Sequence, residues 1–375
     1  MKPIPSRRQA GFSLIELMVA VTIGLFMLAI IGGIYVSTTR SFAATSAVTG
    51  MDENARALFD MIGSSVRQAA IKGCGRVASL TNGDTRNISV TGGIPNNWWQ
   101  NTVQPVQGRT LTAAAPGFPG SYPTAGMDTD VLMLVGADSQ NAATVASDDG
   151  AQITLGTPLS GPAPAFAAGQ ALLASSCQVN SFFIATTGGS TIEHVQGASN
   201  CSASLDSACA LVSMPSGAVS SPPILPVGAL VMPVVANAYY VAPSKVNPAG
   251  KGNSLWSCID GNTDNCTELS NGVENMVVYF GLDTDGDNAV DSWARPGQMP
   301  TAPYTGPGGA SQVTPRWDQV MAVQVHLLLA TLPDAGAVSS GGNAYTFDGG
   351  APVTPTDHRV YREYTAVFSV RNNSY

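Results

Sequence analysis

Apolar residues fill the first long segment of the chain almost without interruption. Residues 12–36 are mainly Leu, Ile, Val, Met, Ala and Phe, and Glu16 is the only charged residue among them. Because a helix needs roughly 20 apolar residues to cross a bilayer core, this segment is long enough to span a membrane. Lys2, Arg7 and Arg8 precede it. Positive residues favour the cytoplasmic side, so we expect the N-terminus inside the cell and the remainder outside the membrane.

A second pattern begins after this segment. Apolar residues now recur mostly every three or four positions, at Val48, Met51, Ala55, Leu58, Phe59, Ile62, Val66 and Ala69. This spacing places them on one face of a helix, and Gly73 and Gly75 offer a stop. The pattern predicts one helix from residue 12 to about residue 71, roughly 90 Å long at 1.5 Å per residue. Its first half is bare, and its second half packs on a globular head.

Beyond residue 76, short runs rich in β-branched and aromatic residues are separated by Gly, Pro, Asn and Ser. Such runs predict β-strands joined by long loops. We therefore predict an α+β fold, in which a long N-terminal helix packs on a C-terminal antiparallel β-sheet head. Two small domains joined by flexible linkers are the alternative. The clearest runs are 130–136, 151–156, 170–175, 180–186, 228–242, 276–282, 318–332 and 359–372.

Glu16 is the unusual feature of the apolar segment. A charged side chain at membrane depth costs about 2.5–3.5 kcal/mol on insertion scales, so it usually has a partner and a function. A plain membrane anchor does not explain it. A cleaved secretory signal has an apolar core of only roughly 7–15 residues. The sequence GFSLIELMVAVTIGLFMLAI, which begins at Gly11, resembles instead the N-terminus of type IV prepilins, the class III signal sequences.

The resemblance implies how the N-terminus is processed. In that family a prepilin peptidase cuts after the glycine and methylates the new first residue, which implies cleavage between Gly11 and Phe12 and N-methylation of Phe12. Glu16 then occupies the fifth position of the mature chain, where the family has its glutamate. That glutamate is taken to pair with the N-terminal amine of a neighbouring subunit, so the resemblance implies an assembly role for Glu16.

The same resemblance divides the chain into four parts. Residues 1–11 are the expected leader, and 12–36 the helix that lies first in the membrane and then in the filament core. Residues 37–75 continue this helix with an amphipathic pattern. Residues 76–375 form the expected extracytoplasmic β-rich head, which makes the predicted fold pilin-like.

Three further segments resemble minor pilins of the PilW type. They are RQAAIKGCG at 67–75, VVYFGLDTDGDNAVDSW at 277–293 and YREYTAVFSVRN at 361–372. Ile71 departs from the family, which usually has glycine there. The resemblance implies a minor pilin that takes part in type IV pilus assembly, in the priming or tip complex. A type II secretion pseudopilin of the J type is the alternative, and a membrane-tethered enzyme or binding protein is a third hypothesis.

The resemblance also implies partners and a location. The expected partners are other minor pilins, the major pilin, the prepilin peptidase, the inner-membrane assembly platform and a PilY-type tip adhesin. The expected location is the inner membrane, crossed once with the head in the periplasm, and then the pilus tip. The formal net charge of −8 argues against a nucleic-acid partner.

Six cysteines follow the apolar segment. An even number in an exported domain suggests disulfides. Cys201 and Cys209 are separated by seven residues, and so are Cys258 and Cys266. Local pairing of these is the simplest connectivity and leaves Cys74 with Cys177, although other pairings are possible. A zinc site is the competing interpretation, but the sequence has no CxxC motif and no histidine near the cysteines.

The sequence DTDGDNAVD at 283–291 concentrates carboxylates. Asp283, Asp285, Asp287 and Asp291 could converge on a calcium ion. The sequence is not an EF-hand loop, because Asn288 and Ala294 stand where such a loop needs glycine and glutamate. A hairpin with turn-forming Asp-Gly and Asp-Asn pairs is the favoured interpretation, and a calcium loop is the alternative, so we commit to no metal site.

Catalytic motifs are lacking. His194, His326 and His358 lie far apart in the sequence, and there is no G-x-S-x-G elbow and no P-loop. We therefore predict neither enzymatic activity nor a cofactor. Trp98 and Trp99 either offer an exposed aromatic contact or are buried under a loop, and burial is favoured.

Overall fold

The computed structural model describes residues 13–71, 84–86, 98–100, 104–111, 129–159, 166–176, 180–195, 200, 225–246, 252–259, 266–305, 311–332, 344–357 and 359–371. Within these ranges the chain forms one α-helix, α1 (Leu14–Gln68), and seventeen β-strands. Except for one parallel strand pair, the strands pair antiparallel. The predicted α+β fold, with a long N-terminal helix and an antiparallel β-sheet head, is therefore confirmed.

A four-stranded sheet near the C-terminus supports the helix. Its strand order is β13-β12-β16-β17. The second half of α1 lies across β16 and β17. The aromatic rings of Phe59 and Phe368 are 6.2 Å apart, and Gly63 lets the ring of Phe368 approach the helix closely. The strands are β12 (Val273–Leu282), β13 (Ser292–Ala294), β16 (Val320–Ala330) and β17 (Tyr361–Ser369).

An eleven-stranded sheet forms the rest of the head around one long strand, β9 (Leu230–Pro243). The first half of β9 pairs with β4 and β6, and its second half pairs with β3 and β10. Its other strands are β1 (Asp84–Arg86), β2 (Val106–Leu111), β3 (Thr129–Ala137), β4 (Ala143–Asp148), β5 (Gln152–Pro158), β6 (Ala171–Ser175), β7 (Asn180–Ile184), β8 (Thr191–Glu193), β10 (Asn253–Ile259) and β11 (Cys266–Asn271). A separate hairpin consists of β14 (Thr301–Thr305) and β15 (Ser311–Pro315).

The largest hydrophobic core lies where the helix and the two sheets meet. The helix contributes a stripe whose members follow the predicted spacing: Met51, Ala55, Leu58, Ile62 and Val66. These residues share one cluster with Leu132 and Leu134 of β3, Tyr239 and Val241 of β9, and Met276, Val278 and Phe280 of β12. The stripe is buried because it completes this core, and most helical stability in proteins comes from such packing.

A buried ion pair joins the two sheets beside this core. The carboxylate of Asp130, at the start of β3, accepts hydrogen bonds from the Val278 N–H of β12 at 3.0 Å and the Thr110 hydroxyl at 2.7 Å. Arg295 lies 3.2 Å from the same carboxylate. Burial raises the pKa of Asp130, although these three partners favour its charged form. The three partners therefore offset part of the cost of burying this carboxylate.

Backbone contacts with β3 terminate helix α1, and no glycine caps its C-terminus. Ala69 forms an isolated bridge with Gly136, and the Ala70 N–H donates to the Val135 carbonyl at 3.0 Å. Ala70 also has a positive φ of 62°. Helix α1 therefore ends at Gln68, a few residues before the predicted stop, because its last turn is held by pairing with a strand.

Gly136 makes this close approach possible. A Cβ atom at position 136 would lie 2.3 Å from the Gln68 carbonyl oxygen, so Gly136→Ala must push the end of the helix away from β3. We expect this substitution to lower the free energy of unfolding by about 1–3 kcal/mol, measured by thermal unfolding of the full-length protein in detergent. The matched control is Gly297→Ala, whose added Cβ would have its nearest neighbour at 4.0 Å. An equal effect of the two substitutions would contradict the steric argument.

Candidate functional site

Among the described residues, none packs against the first half of α1 to form a core. Every large apolar side chain from Leu14 to Val36 is exposed, with exposed fractions between 47 % and 78 %. The helix is long and apolar enough to cross a membrane. Exposed apolar surface on this scale marks a membrane or protein contact. We call this exposed segment, Leu14 to Val36, the bare half of α1. It is the principal candidate for the functional surface.

The N-terminus of this helix is closed by a capping box. The Ser13 hydroxyl accepts the Glu16 N–H at 3.3 Å, and the Glu16 carboxylate accepts the Ser13 N–H at 3.2 Å. This reciprocal arrangement satisfies two backbone donors that a helix start otherwise leaves unpaired. The Glu16 carboxylate is therefore directed toward the start of the chain rather than along the membrane segment. Gly11 and Phe12, the predicted cleavage and methylation sites, lie outside the described residues.

A polar contact fastens the exposed side of the helix to β17. The Asp52 carboxylate accepts hydrogen bonds from Arg362, at 3.0 Å, and from the Tyr364 hydroxyl. These two partners hold the pKa of Asp52 below its ordinary value, with Tyr364 having the larger effect. Asp52 and Arg362 are each 48 % exposed, so solvent screens this contact and it contributes less than a buried pair.

The acidic loop after β12 is built as a turn. The Asp283 carboxylate accepts the N–H groups of Gly286 and Asn288, at 2.6 and 3.0 Å, and both of those residues have positive φ. Asp291 accepts two hydrogen bonds from Thr284, which lower its pKa. Oxygen atoms of Asp283, Asp285 and Asp287 lie within 4.8 Å of one another. Asp283 is buried, and Asp285 and Asp287 are exposed. The hydrogen bonds of Asp283 and Asp291 match the hairpin-turn interpretation.

One predicted disulfide is present. Cys258 and Cys266 face each other in the β10–β11 hairpin and are joined by a disulfide. Pairing of the two strands places these residues opposite one another, which is why the local connectivity forms here. The four other cysteines, Cys74, Cys177, Cys201 and Cys209, lie outside the described residues, so their pairing stays a prediction.

The described histidines lie apart from each other and belong to different parts of the head. His194 is buried against the ring of Phe183. The His326 Nδ1 atom lies 2.5 Å from the Glu363 carboxylate, on the face of the sheet opposite the helix. His358 lies outside the described residues. Trp98 and Trp99 are half-buried and pack against the hydrophobic core, in line with the favoured interpretation.

Comparison with known families matches the two ends of the chain. A model described as prokaryotic N-terminal methylation motif matches residues 6–32. A model described as type IV pilus-assembly protein W, PilW, matches residues 238–372. No curated protein and no solved structure matches the chain.

The chain is a PilW-type pilin.

The PilW match covers the strands that carry the helix. It begins within β9, includes β12, β16 and β17, and ends just after the last strand. The methylation motif covers the capping box and most of the bare half of α1. The protein is accordingly a membrane-anchored type IV pilus minor pilin of a structural rather than catalytic family, and it works in contact with other pilus components.

Sequence reasoning missed two of the contacts in this PilW-type pilin. The capping box could have been found, since Ser13 and Glu16 have the S-x-x-E spacing at the start of an apolar run. The contact between Asp52 and Arg362 left no local signal, because the two residues are 310 positions apart.

The contact at Asp52 predicts a pH dependence. A carboxylate whose folded-state pKa is lowered adds stability above its unfolded pKa, and this contribution is lost as the pH falls through the folded pKa. We therefore expect Asp52→Asn to reduce the loss of thermal stability between about pH 6 and about pH 3, measured as melting temperatures of the full-length pilin in detergent. Glu53→Gln, which removes the neighbouring exposed carboxylate, is the control. A wild-type pH profile in Asp52→Asn would contradict the assigned contact.

Proposed function

We propose that this minor pilin belongs to the complex that primes type IV pilus assembly and remains at the pilus tip. The observation that carries the proposal is the bare apolar half of α1 joined to a head that covers only the second half. Such a helix is stable in the bilayer before assembly. When the subunit enters a filament, the same surface must be covered by the helices of neighbouring subunits.

Processing converts the membrane anchor into an assembly element. In the proposed reaction, the prepilin peptidase hydrolyses the peptide bond between Gly11 and Phe12 with one water molecule. The amine released on Phe12 then takes a methyl group from a sulfonium methyl donor and loses one proton. Cleavage removes the positive residues Lys2, Arg7 and Arg8, which favour the cytoplasmic side of the membrane. It also creates an amine at Phe12. The Glu16 carboxylate, directed toward the start of the helix by the capping box, can then pair with such an amine on a neighbouring subunit.

The size of the head supports a position at the tip. An eleven-stranded sheet and a four-stranded sheet extend from one side of α1, and a head of this size need not repeat around the shaft if it sits at the end. The partners that follow are other minor pilins, the major pilin and the inner-membrane assembly platform. A PilY-type adhesin is the proposed partner at the distal side.

The priming role predicts the consequence of removing the protein. We expect a deletion strain to lose nearly all surface pili, because the first subunits of the filament cannot assemble, and expression of the wild-type chain should restore them. The measurement is the amount of major pilin in sheared surface fractions. Unchanged piliation would contradict the priming role, and a secretion defect with pili retained would indicate the type II pseudopilin instead.

Glu16 and Ser13 allow a sharper test of assembly. Gln at the third helical position still supports a capping box, so Glu16→Gln keeps the cap and removes only the charge. We expect Glu16→Gln to insert and to be cleaved, but to appear in sheared pili at least about tenfold less than wild type, as expected for a lost charge pair of about 1.4 kcal/mol or more. Glu16→Ala should behave in the same way.

Ser13→Ala is the matched control for the charge. It removes the hydroxyl that accepts the Glu16 N–H and keeps the carboxylate, so we expect near wild-type incorporation. The reverse result, with Glu16→Gln incorporated normally and Ser13→Ala excluded, would show that Glu16 serves only as a cap.

A further inference from the structure

The last strand of the chain forms one edge of the four-stranded sheet. β17 lies outside β16, and the opposite edge is β13, which has only three residues. β17 has nine residues and pairs with β16 in an unbroken register, from Ala322 opposite Ser369 to Ala330 opposite Tyr361. The sheet therefore has one long regular edge.

The register shows which backbone groups this edge presents. The Val370 N–H donates to the Met321 carbonyl, and the Thr331 N–H donates to the Val360 carbonyl. Hydrogen-bonded and non-hydrogen-bonded pairs alternate in an antiparallel ladder. The even-numbered residues of β17 therefore bond to β16. The N–H and C=O groups of Thr365, Val367 and the other odd-numbered residues point away from it.

These outward groups are open to a partner. Thr365, Val367 and Ser369 are exposed, Val367 to 57 %. Within the described part of the chain, no hydrogen-bond partner lies against the outward N–H groups of these three residues. The strand has the sequence YREYTAVFS. Its charged residues, Arg362 and Glu363, lie near its start, and the stretch from Thr365 to Ser369 has no charge, proline or bulge of the kind that usually protects an edge. An edge of this kind is a template for strand addition.

The direction of the helix indicates which partner can reach this edge. Asp52 contacts Arg362 near the start of β17, and Phe59, farther along the helix, contacts Phe368 near its end. Helix and strand therefore run side by side in the same direction. In the proposed filament the helices of neighbouring subunits run parallel to α1, so their heads lie at the same end of the helices as β17.

A second copy of this chain fits the edge poorly. Strand pairs are antiparallel two to three times more often than parallel, and an antiparallel pair of two β17 strands would reverse one α1 relative to the other. The two bare helix halves would then point in opposite directions and could not share one membrane. Such a pair is also a closed dimer, which does not extend into a filament.

We propose that the free edge of β17 binds an extended segment from the head of a different pilin subunit, which adds a fifth strand to the sheet. The proposal rests on the proposed function, since it names the contact that the head makes once α1 is assembled. Backbone hydrogen bonds from the odd-numbered residues of β17 hold the added strand. The exposed side chains of Thr365 and Val367 select its register.

Val367→Pro tests the backbone contact in the full-length chain in its native bacterium. Proline removes an N–H that points outward and is tolerated at such positions on edge strands. Val367→Thr keeps the N–H and is the matched control. We expect Val367→Pro to be recovered in sheared pili about tenfold less than Val367→Thr, as for the loss of one backbone hydrogen bond. Both should be present at equal levels in the membrane.

A photo-crosslinking residue at position 367 of an otherwise wild-type chain tests the same contact without a proline. We expect cross-links in sheared pili to an extended segment of another pilin, identified by peptide mass spectrometry. Cross-links only to this chain, or none, would overturn the proposal, as would equal recovery of the two Val367 variants. If the wild-type chain itself is absent from pili, the proposed function fails together with the edge contact. If the wild-type chain is present in pili, failure of these tests contradicts only the proposed addition of a strand to β17.

Discussion

The first half of α1 exposes an apolar surface that the head leaves uncovered, and the head is built to hold this helix. About half of the helix carries large apolar side chains that its own head does not touch. Water is an unfavourable environment for this surface. In the proposed function, the protein exchanges one covering of this surface for another, the bilayer before assembly and neighbouring helices afterwards. The head would then have to hold the helix firmly while this exchange takes place.

The helix is held by its second half and by its end. The apolar stripe from Met51 to Val66 completes the core between the two sheets, and Gly136 allows the last turn to bond to β3. Asp52 adds a contact to β17 on the exposed side. In the proposed assembly, a force that draws the bare half out of the membrane would be transmitted to the head through these contacts. The same contacts place the free edge of β17 alongside the helix.

The clearest runs in the sequence predict the long helix and eight of the seventeen described strands, but not the other nine strands and not how the strands pair. The run at 130–136 lies within β3, and those at 276–282 and 318–332 correspond closely to β12 and β16, because hydrophobic periodicity is a local property. The division of β9 between two groups of partners has no such signal. Neither does the ion pair of Asp130 with Arg295, which are 165 positions apart. The disulfide between Cys258 and Cys266 was predictable because a short hairpin brings the two residues together.

At the N-terminal site, too, the sequence pointed to the residues, and the structure added a contact between two of them. The sequence alone pointed to Gly11, Phe12 and Glu16, since a single carboxylate in an apolar run is costly and the surrounding motif is specific. The structure added the bond between Glu16 and Ser13, which gives the carboxylate a partner before any neighbour is present. The end of the helix could not be predicted, because Gln68 is the last helical residue only when β3 is in place.

Mass spectrometry of the N-terminal peptide, taken from the protein in its native bacterium, tests the central claim most directly. We expect a mature chain that begins at Phe12 and carries one methyl group on its amine. An intact N-terminus, or cleavage at any bond other than the one between Gly11 and Phe12, would contradict it.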